Sequence, residues 1–182
     1  MRTADFHFDL PPELIAQHPA AKRDESRLLV LHRTENRIEH RRFPDLPDFL
    51  RAGDVLVLNN SRVIPARLRG VNAKTGGRFE MLLLEETAVN DWWALIKPGK
   101  SAKVGTEIIL EKQKAESGKR KLSASVIEIN DEGHRQLKFS GAENISSKLD
   151  ELGEMPLPPY IRHGKNLPED KERYQTVFAK NS

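Results

Sequence analysis

Between residues 67 and 140 the chain repeats one short pattern. Runs of β-forming residues occupy 78–86, 91–97, 106–112, 122–130 and 134–140. Turn formers separate most of them, as Lys74-Thr75-Gly76-Gly77, Val89-Asn90-Asp91, Lys97-Pro98-Gly99 and Asp131-Glu132-Gly133. Gly, Asn and Asp supply the backbone freedom such turns need. Many short antiparallel strands at this spacing close into a small barrel or stack as a sandwich. One slip in the alternation over 123–130 predicts a β-bulge. Trp92 and Trp93 are adjacent, so a strand sends them to opposite faces, one into the core and one partly exposed. The charged run 112–121 reads as a hairpin loop.

The flanking segments read differently. Residues 6–10 alternate as a short strand, and Pro11-Pro12 opens a brief helix with Leu14 and Ile15 as its apolar face. Residues 27–33 and 37–43 form a hairpin across Thr34-Glu35-Asn36. A short helix over 45–51 ends at Gly53. Val55 to Leu58 is a continuous apolar run that predicts a strand buried on both faces. It stops abruptly at Asn59, Asn60, Ser61 and Arg62, polar groups placed at the tip of a rigid element. The plain reading of this corner is a domain crossover whose Asn side chains bond the turn; Pro65 forbids a central strand just beyond it. Residues 145–152 read as an amphipathic helix built on Ile145, Leu149 and Leu152. Three prolines make 155–160 an extended, rigid segment carrying Tyr160. A connector at 163–167 and a helix over 169–180, with Tyr174, Val177 and Phe178 on its apolar side, complete the chain.

Composition narrows the chemistry. Zero cysteines exclude disulfides and thiolate metal sites and fit a cytoplasmic protein. The N-terminus lacks the apolar core of a signal peptide, and no run is long enough to span a bilayer. Six scattered histidines show no metal-ligand spacing, so no metal is expected. Gly99-Lys100-Ser101 lacks the upstream glycine of a phosphate-binding loop, and neither Gly-x-Gly-x-x-Gly nor a nucleophile elbow is present. Charge is uneven: 61–121 holds 13 Lys/Arg against 7 Asp/Glu, whereas 143–172 holds 4 against 7. A basic middle can face a polyanion; a solvated mixed-charge surface is the plain alternative.

Four ordered blocks add a resemblance. They are Phe8-Asp9-Leu10-Pro11 with Leu14-Ile15-Ala16-Gln17; Arg23-Asp24 before Ser26-Arg27-Leu28-Leu29-Val30-Leu31; Gly53 to Gly70 (GDVLVLNNSRVIPARLRG); and Met155-Pro156-Leu157-Pro158-Pro159-Tyr160-Ile161 followed by Tyr174-Gln175-Thr176-Val177-Phe178-Ala179. Together they resemble the S-adenosylmethionine:tRNA ribosyltransferase-isomerases of queuosine biosynthesis, in their N-terminal half; the family chain is roughly twice as long. The resemblance implies a mixed α/β domain (1–66 and 141–182) interrupted by a small antiparallel β-barrel (67–140), with the α/β domain incomplete. It implies transfer and isomerisation of the ribosyl moiety of S-adenosylmethionine onto 7-aminomethyl-7-deazaguanine at the tRNA wobble position. The product is epoxyqueuosine-tRNA, and adenine and methionine leave. S-adenosylmethionine is then a substrate rather than a cofactor, and the partner is tRNA with a GUN anticodon. Candidate substrate-binding residues are Asn59, Asn60, Ser61, Arg62, Arg67, Tyr160, Tyr174 and Gln175, with Arg23 and Asp24 as weaker ones; no general base is assigned. Exposed edges left by a missing C-terminal half predict self-association. The competing reading is an inert half-chain or RNA-binding module that keeps the barrel and its basic surface.

Overall fold

The computed structural model describes residues 1–111, 122–161 and 167–180. The loop expected at 112–121 and most of the connector at 163–167 lie outside them. The chain divides into two compact units, Met1–Asn59 with Pro158–Lys165, and Asn60–Leu157 with Asn166–Ser182.

The second unit is built on a closed six-stranded barrel. Its strands are β3 (Arg67–Asn72), β4 (Arg78–Ala88), β5 (Asp91–Lys97), β6 (Glu107–Leu110), β7 (Ser123–Ile129) and β8 (Arg135–Ser140), arranged β3-β4-β5-β8-β7-β6 with β6 returning to β3. All pairings are antiparallel. Alternate residues fill the interior: Phe79, Met81 and Leu83; Trp92, Ala94 and Ile96; Ala124 and Val126; Leu137 and Phe139. The period-two pattern drives closure, because each strand buries one face. The register slips between Val126 and Glu128, as the broken alternation predicts. Trp92 is buried and Trp93 half-buried.

Strand β3 is the one the sequence does not announce. Its interior positions are Leu68 and Gly70, and a Cβ on Gly70 would sit 2.6 Å from Ile108 Cγ2 and 2.7 Å from the Ile109 carbonyl. Only glycine lets β6 approach closely enough to close the barrel, and glycine hides the apolar alternation. Beyond β8, a short 3-10 turn (Ser146–Lys148) and α1 (Leu149–Leu152) occupy the predicted helix, with Ile145, Leu149 and Leu152 in the core. Asn90, at φ 67°, holds this segment: its side chain accepts from the Ile145 amide (2.7 Å) and donates to the Glu143 carbonyl (2.9 Å).

Three predicted elements differ. Residues 55–58 form no strand, and Val55 and Val57 are each 87% exposed. A doubly buried strand needs a hydrogen-bonded neighbour and cover on both faces; no described strand pairs with this run. The 6–10 strand is likewise absent, a 3-10 turn (Thr3–Phe6) standing before it. The helix over 169–180 shortens to α2 (Asp170–Arg173). Its later residues bond across the unit instead, Gln175 to Val63 and the Lys180 amide to the Asn60 carbonyl. These tertiary bonds override a weak helical preference.

The first unit carries the predicted hairpin, β1 (Arg27–His32) against β2 (Arg37–Arg42), with 3-10 turns at Pro12–Leu14 and Phe43–Phe49 in place of short helices and a further one at Arg23–Glu25. Pro47 inside the last turn removes a helical donor. None of its described residues is fully buried. On one hairpin face Glu39 meets His32 (3.0 Å), Arg37 (3.1 Å) and Arg41. Hydrogen bonds, first from His32 and then from Arg41 and Arg37, lower the Glu39 carboxyl from 4.5 to about 2. Because the folded pKa lies below the unfolded one, this stabilisation is complete above about pH 4.5 and is lost as pH falls through about 2. Carbon-detected NMR titration of Glu39 is expected to give a midpoint near that lower value; a midpoint near 4.5 would disprove the network.

Candidate substrate-binding site

The sequence-predicted residues fall in both units. Asn59, Tyr160, Arg23 and Asp24 belong to the first; Asn60, Ser61, Arg62, Arg67, Tyr174 and Gln175 belong to the second. In the first unit, the Gln17 side-chain amide donates to the Ile15 and Tyr160 carbonyls (3.2 and 3.1 Å). That contact ties the Leu14–Gln17 block to the proline-rich one. Tyr160 leaves 53% of its surface exposed. Arg23 and Asp24 lie in an exposed 3-10 turn closed by the Lys22 amide on the Glu25 carboxylate (3.3 Å).

In the second unit the approach to β3 forms one wall of a cavity of about 560 Å³. Arg62 to Pro65 line it together with Gln175, Trp92, Leu149 and Met155. Glu86, Ser146, Asp150 and Lys171 supply the remaining polar groups. The floor is apolar and the rim carries both signs of charge. Ser146 donates to Glu86 (3.1 Å), and the Lys171 ammonium reaches the Asp150 carbonyl (2.7 Å). The Trp92 indole nitrogen is buried with no acceptor among the described residues. A buried, unpaired N–H is costly, and a bound acceptor would relieve it.

The predicted residues divide by use. Gln175 spends its amide on the backbone, accepting from the Val63 N–H (2.8 Å) and donating to the Val63 carbonyl (2.7 Å). It therefore fixes the cavity wall. Arg67 donates to the Leu157 carbonyl (3.1 Å) and lies 3.5 Å from Glu80, so it braces the barrel mouth. Arg62, exposed on the rim, is the predicted cation that faces this cavity. Tyr174 is 37% exposed beside Gln175 and is not among the lining residues. Sequence reasoning missed Trp92, Glu86, Ser146, Asp150 and Lys171 as a group. They come from separate segments that only the fold brings together.

The sequence matches the family described as Queuosine biosynthesis protein over residues 3–182, and the chain belongs to that family. It is 50% identical over all of its length to an S-adenosylmethionine:tRNA ribosyltransferase-isomerase from Clostridioides difficile, and 46% identical over 99% to one from Desulforamulus reducens. The chain spans about half the length of these curated relatives, 50% in each case. A crystal structure of S-adenosylmethionine tRNA ribosyltransferase from Thermotoga maritima is 44% identical, covering 74% of this chain and 44% of that one, with a TM-score of 0.35. Among the described residues no helix is long and apolar enough to cross a membrane.

Proposed function

We propose that the chain carries the N-terminal half of an S-adenosylmethionine:tRNA ribosyltransferase-isomerase of queuosine biosynthesis. One observation carries this reading. Arg62 to Pro65, Met155 and Gln175, from three separate segments of the family pattern, line a single cavity. S-adenosylmethionine bears a carboxylate, an ammonium, a sulfonium and an apolar body. Arg62 suits the carboxylate, Glu86 and Asp150 suit the cationic groups, and the face of Trp92 suits the sulfonium. Ribosyl transfer then breaks the bond to adenine and the bond to methionine sulfur. It needs a base near the carbon beside the sulfonium and donors for the leaving adenine. In the second unit, Asn60 and Ser61 supply edge hydrogen bonds to the 7-deazaguanine of a GUN anticodon, and Tyr174 supplies stacking.

The barrel of 67–140 is then an insertion into an α/β domain of 1–66 and 141–182, completed by sequence outside these residues. The exposed Val55 to Leu58 run supports that arrangement, because an apolar run of this kind calls for cover.

The test is adenine release. A fusion of residues 1–182 to the remaining half of the Clostridioides difficile relative is expected to release adenine only with both S-adenosylmethionine and tRNA carrying the aminomethyl-deazaguanine. Arg62→Ala in that fusion is expected to lower kcat/KM by about 10- to 100-fold, the loss of one charged hydrogen bond. Retained tRNA binding with no release would favour the RNA-binding module instead. Neither binding nor release would overturn both readings.

A further inference from the structure

The far end of the barrel carries a second cationic feature. Trp92, at the cavity, and Lys97 are five residues apart on β5, roughly 17 Å at strand spacing. From Lys97 the β5–β6 connection runs to Thr106 with three lysines, Lys97, Lys100 and Lys103, and no carboxylate. All three are exposed, and among the described residues none makes an ion pair. Arg78 opens β4 beside them: Glu80, two residues on, stands opposite Lys97 in the β4–β5 register. Arg78 and Lys97 line a groove of about 560 Å³ with Pro98 and Phe79. The groove's other cation, Arg69, is engaged by Glu154 (3.0 and 3.1 Å) and Glu80 (3.3 Å), whereas among the described residues Arg78 has no such partner. Two carboxylates, Glu80 and Glu111, line the same groove, Glu80 being held by Arg69 and Arg67; Glu107, Asp131 and Glu132 lie on neighbouring segments, and Glu132 pairs with His134 (3.2 Å).

The connection is also held in shape. Ala102 is fully buried, and the Gly105 amide donates to the Val126 carbonyl (2.8 Å). The Arg135 guanidinium donates to the carbonyls of Gly99 (2.7 Å), Ala102 (3.3 Å) and Gly133. A braced loop gives up little entropy on binding, so its cations are displayed ready for a partner. We propose that Lys97, Lys100 and Lys103, with Arg78 beside them, form a phosphate-contact surface for the RNA backbone, set one barrel length from the cavity. It rests on the reading of tRNA as substrate. Its contribution is sequence-independent affinity and orientation, because phosphate contacts position rather than specify.

The test is the salt dependence of binding. Fluorescence anisotropy with labelled GUN-anticodon tRNA, at about 50 to 200 mM salt, compares the 182-residue chain with K97A/K100A/K103A. Each phosphate contact adds about 0.7 to 0.9 to the slope of log K against log salt, so the triple variant is expected to flatten it by about 2 to 3. Lys100→Ala alone is expected to flatten it by about one, and the triple Lys→Arg variant to preserve it. An unrelated RNA hairpin is expected to show the same decrement. If the parent chain fails to bind tRNA, the substrate reading falls and takes this proposal with it. If the parent binds but the triple variant keeps the parent slope, the loop assignment alone is overturned. Displacement of the RNA by poly-glutamate at matched charge would overturn it in favour of an acidic protein partner.

Discussion

Replacing Gly153 by alanine is expected to lower the melting temperature of the 182-residue chain by about 6 to 12 °C. Gly153 follows α1 and is buried against the chain entering β3. A Cβ there would lie 1.8 Å from the Pro65 carbonyl oxygen and 2.8 Å from that of Leu149. Both obstacles are backbone, so no rotamer change clears them, and one element has to move. Overpacking costs about 1 to 3 kcal/mol and more when backbone is displaced. At about 3 kcal/mol, a domain of this size shifts by 2–4 °C per kcal/mol. The readout is a thermal melt followed by near-ultraviolet circular dichroism of the two tryptophans. Gly77→Ala is the control, since its Cβ would meet only Thr75 Oγ1 at 3.4 Å. A Gly153→Ala melt no lower than the control's would show that the close approach to Pro65 is wrong.

Gln175→Leu is expected to cost about 2 kcal/mol and to loosen the cavity wall. The leucine keeps the shape but leaves the Val63 N–H and C=O without their partners. An unsatisfied buried group costs about 1 to 3 kcal/mol, and two are at stake here, with partial exposure reducing each. The local signature is amide hydrogen exchange at Val63. Its protection is expected to fall by about 30-fold, the equivalent of 2 kcal/mol. Unchanged exchange at Val63 would mean that the paired bonds do not form in solution.

Legibility followed the physics of each element. Strands β4, β5, β7 and β8 sat where the alternation put them, because each buries one face and the period of two survives in the sequence. β3 escaped because Arg67, Arg69 and Gly70 carry no apolar period, although Gly70 is what admits β6. The Val55 to Leu58 run misled for the opposite reason. It has the composition of a buried strand, but pairing decides a strand, and no described strand pairs with it. Arg62 was readable as a polar residue ending an apolar run. Gln175 was readable as a candidate, but its use in holding Val63 was not. The cavity could not be read at all, since Trp92, Ser146, Asp150 and Lys171 share no spacing that a linear pattern could reveal.

The bridge between Arg67 and Glu154 has a consequence for how such a chain can be assembled. Their backbones exchange hydrogen bonds of 3.2 and 2.8 Å, so the strand that enters the barrel and the segment that leaves it run side by side. Neighbouring antiparallel strands are only about 5 Å apart. Strand β3 therefore begins, and the segment after α1 leaves, at one two-residue ladder. Losing that ladder would free both ends of the barrel segment at once.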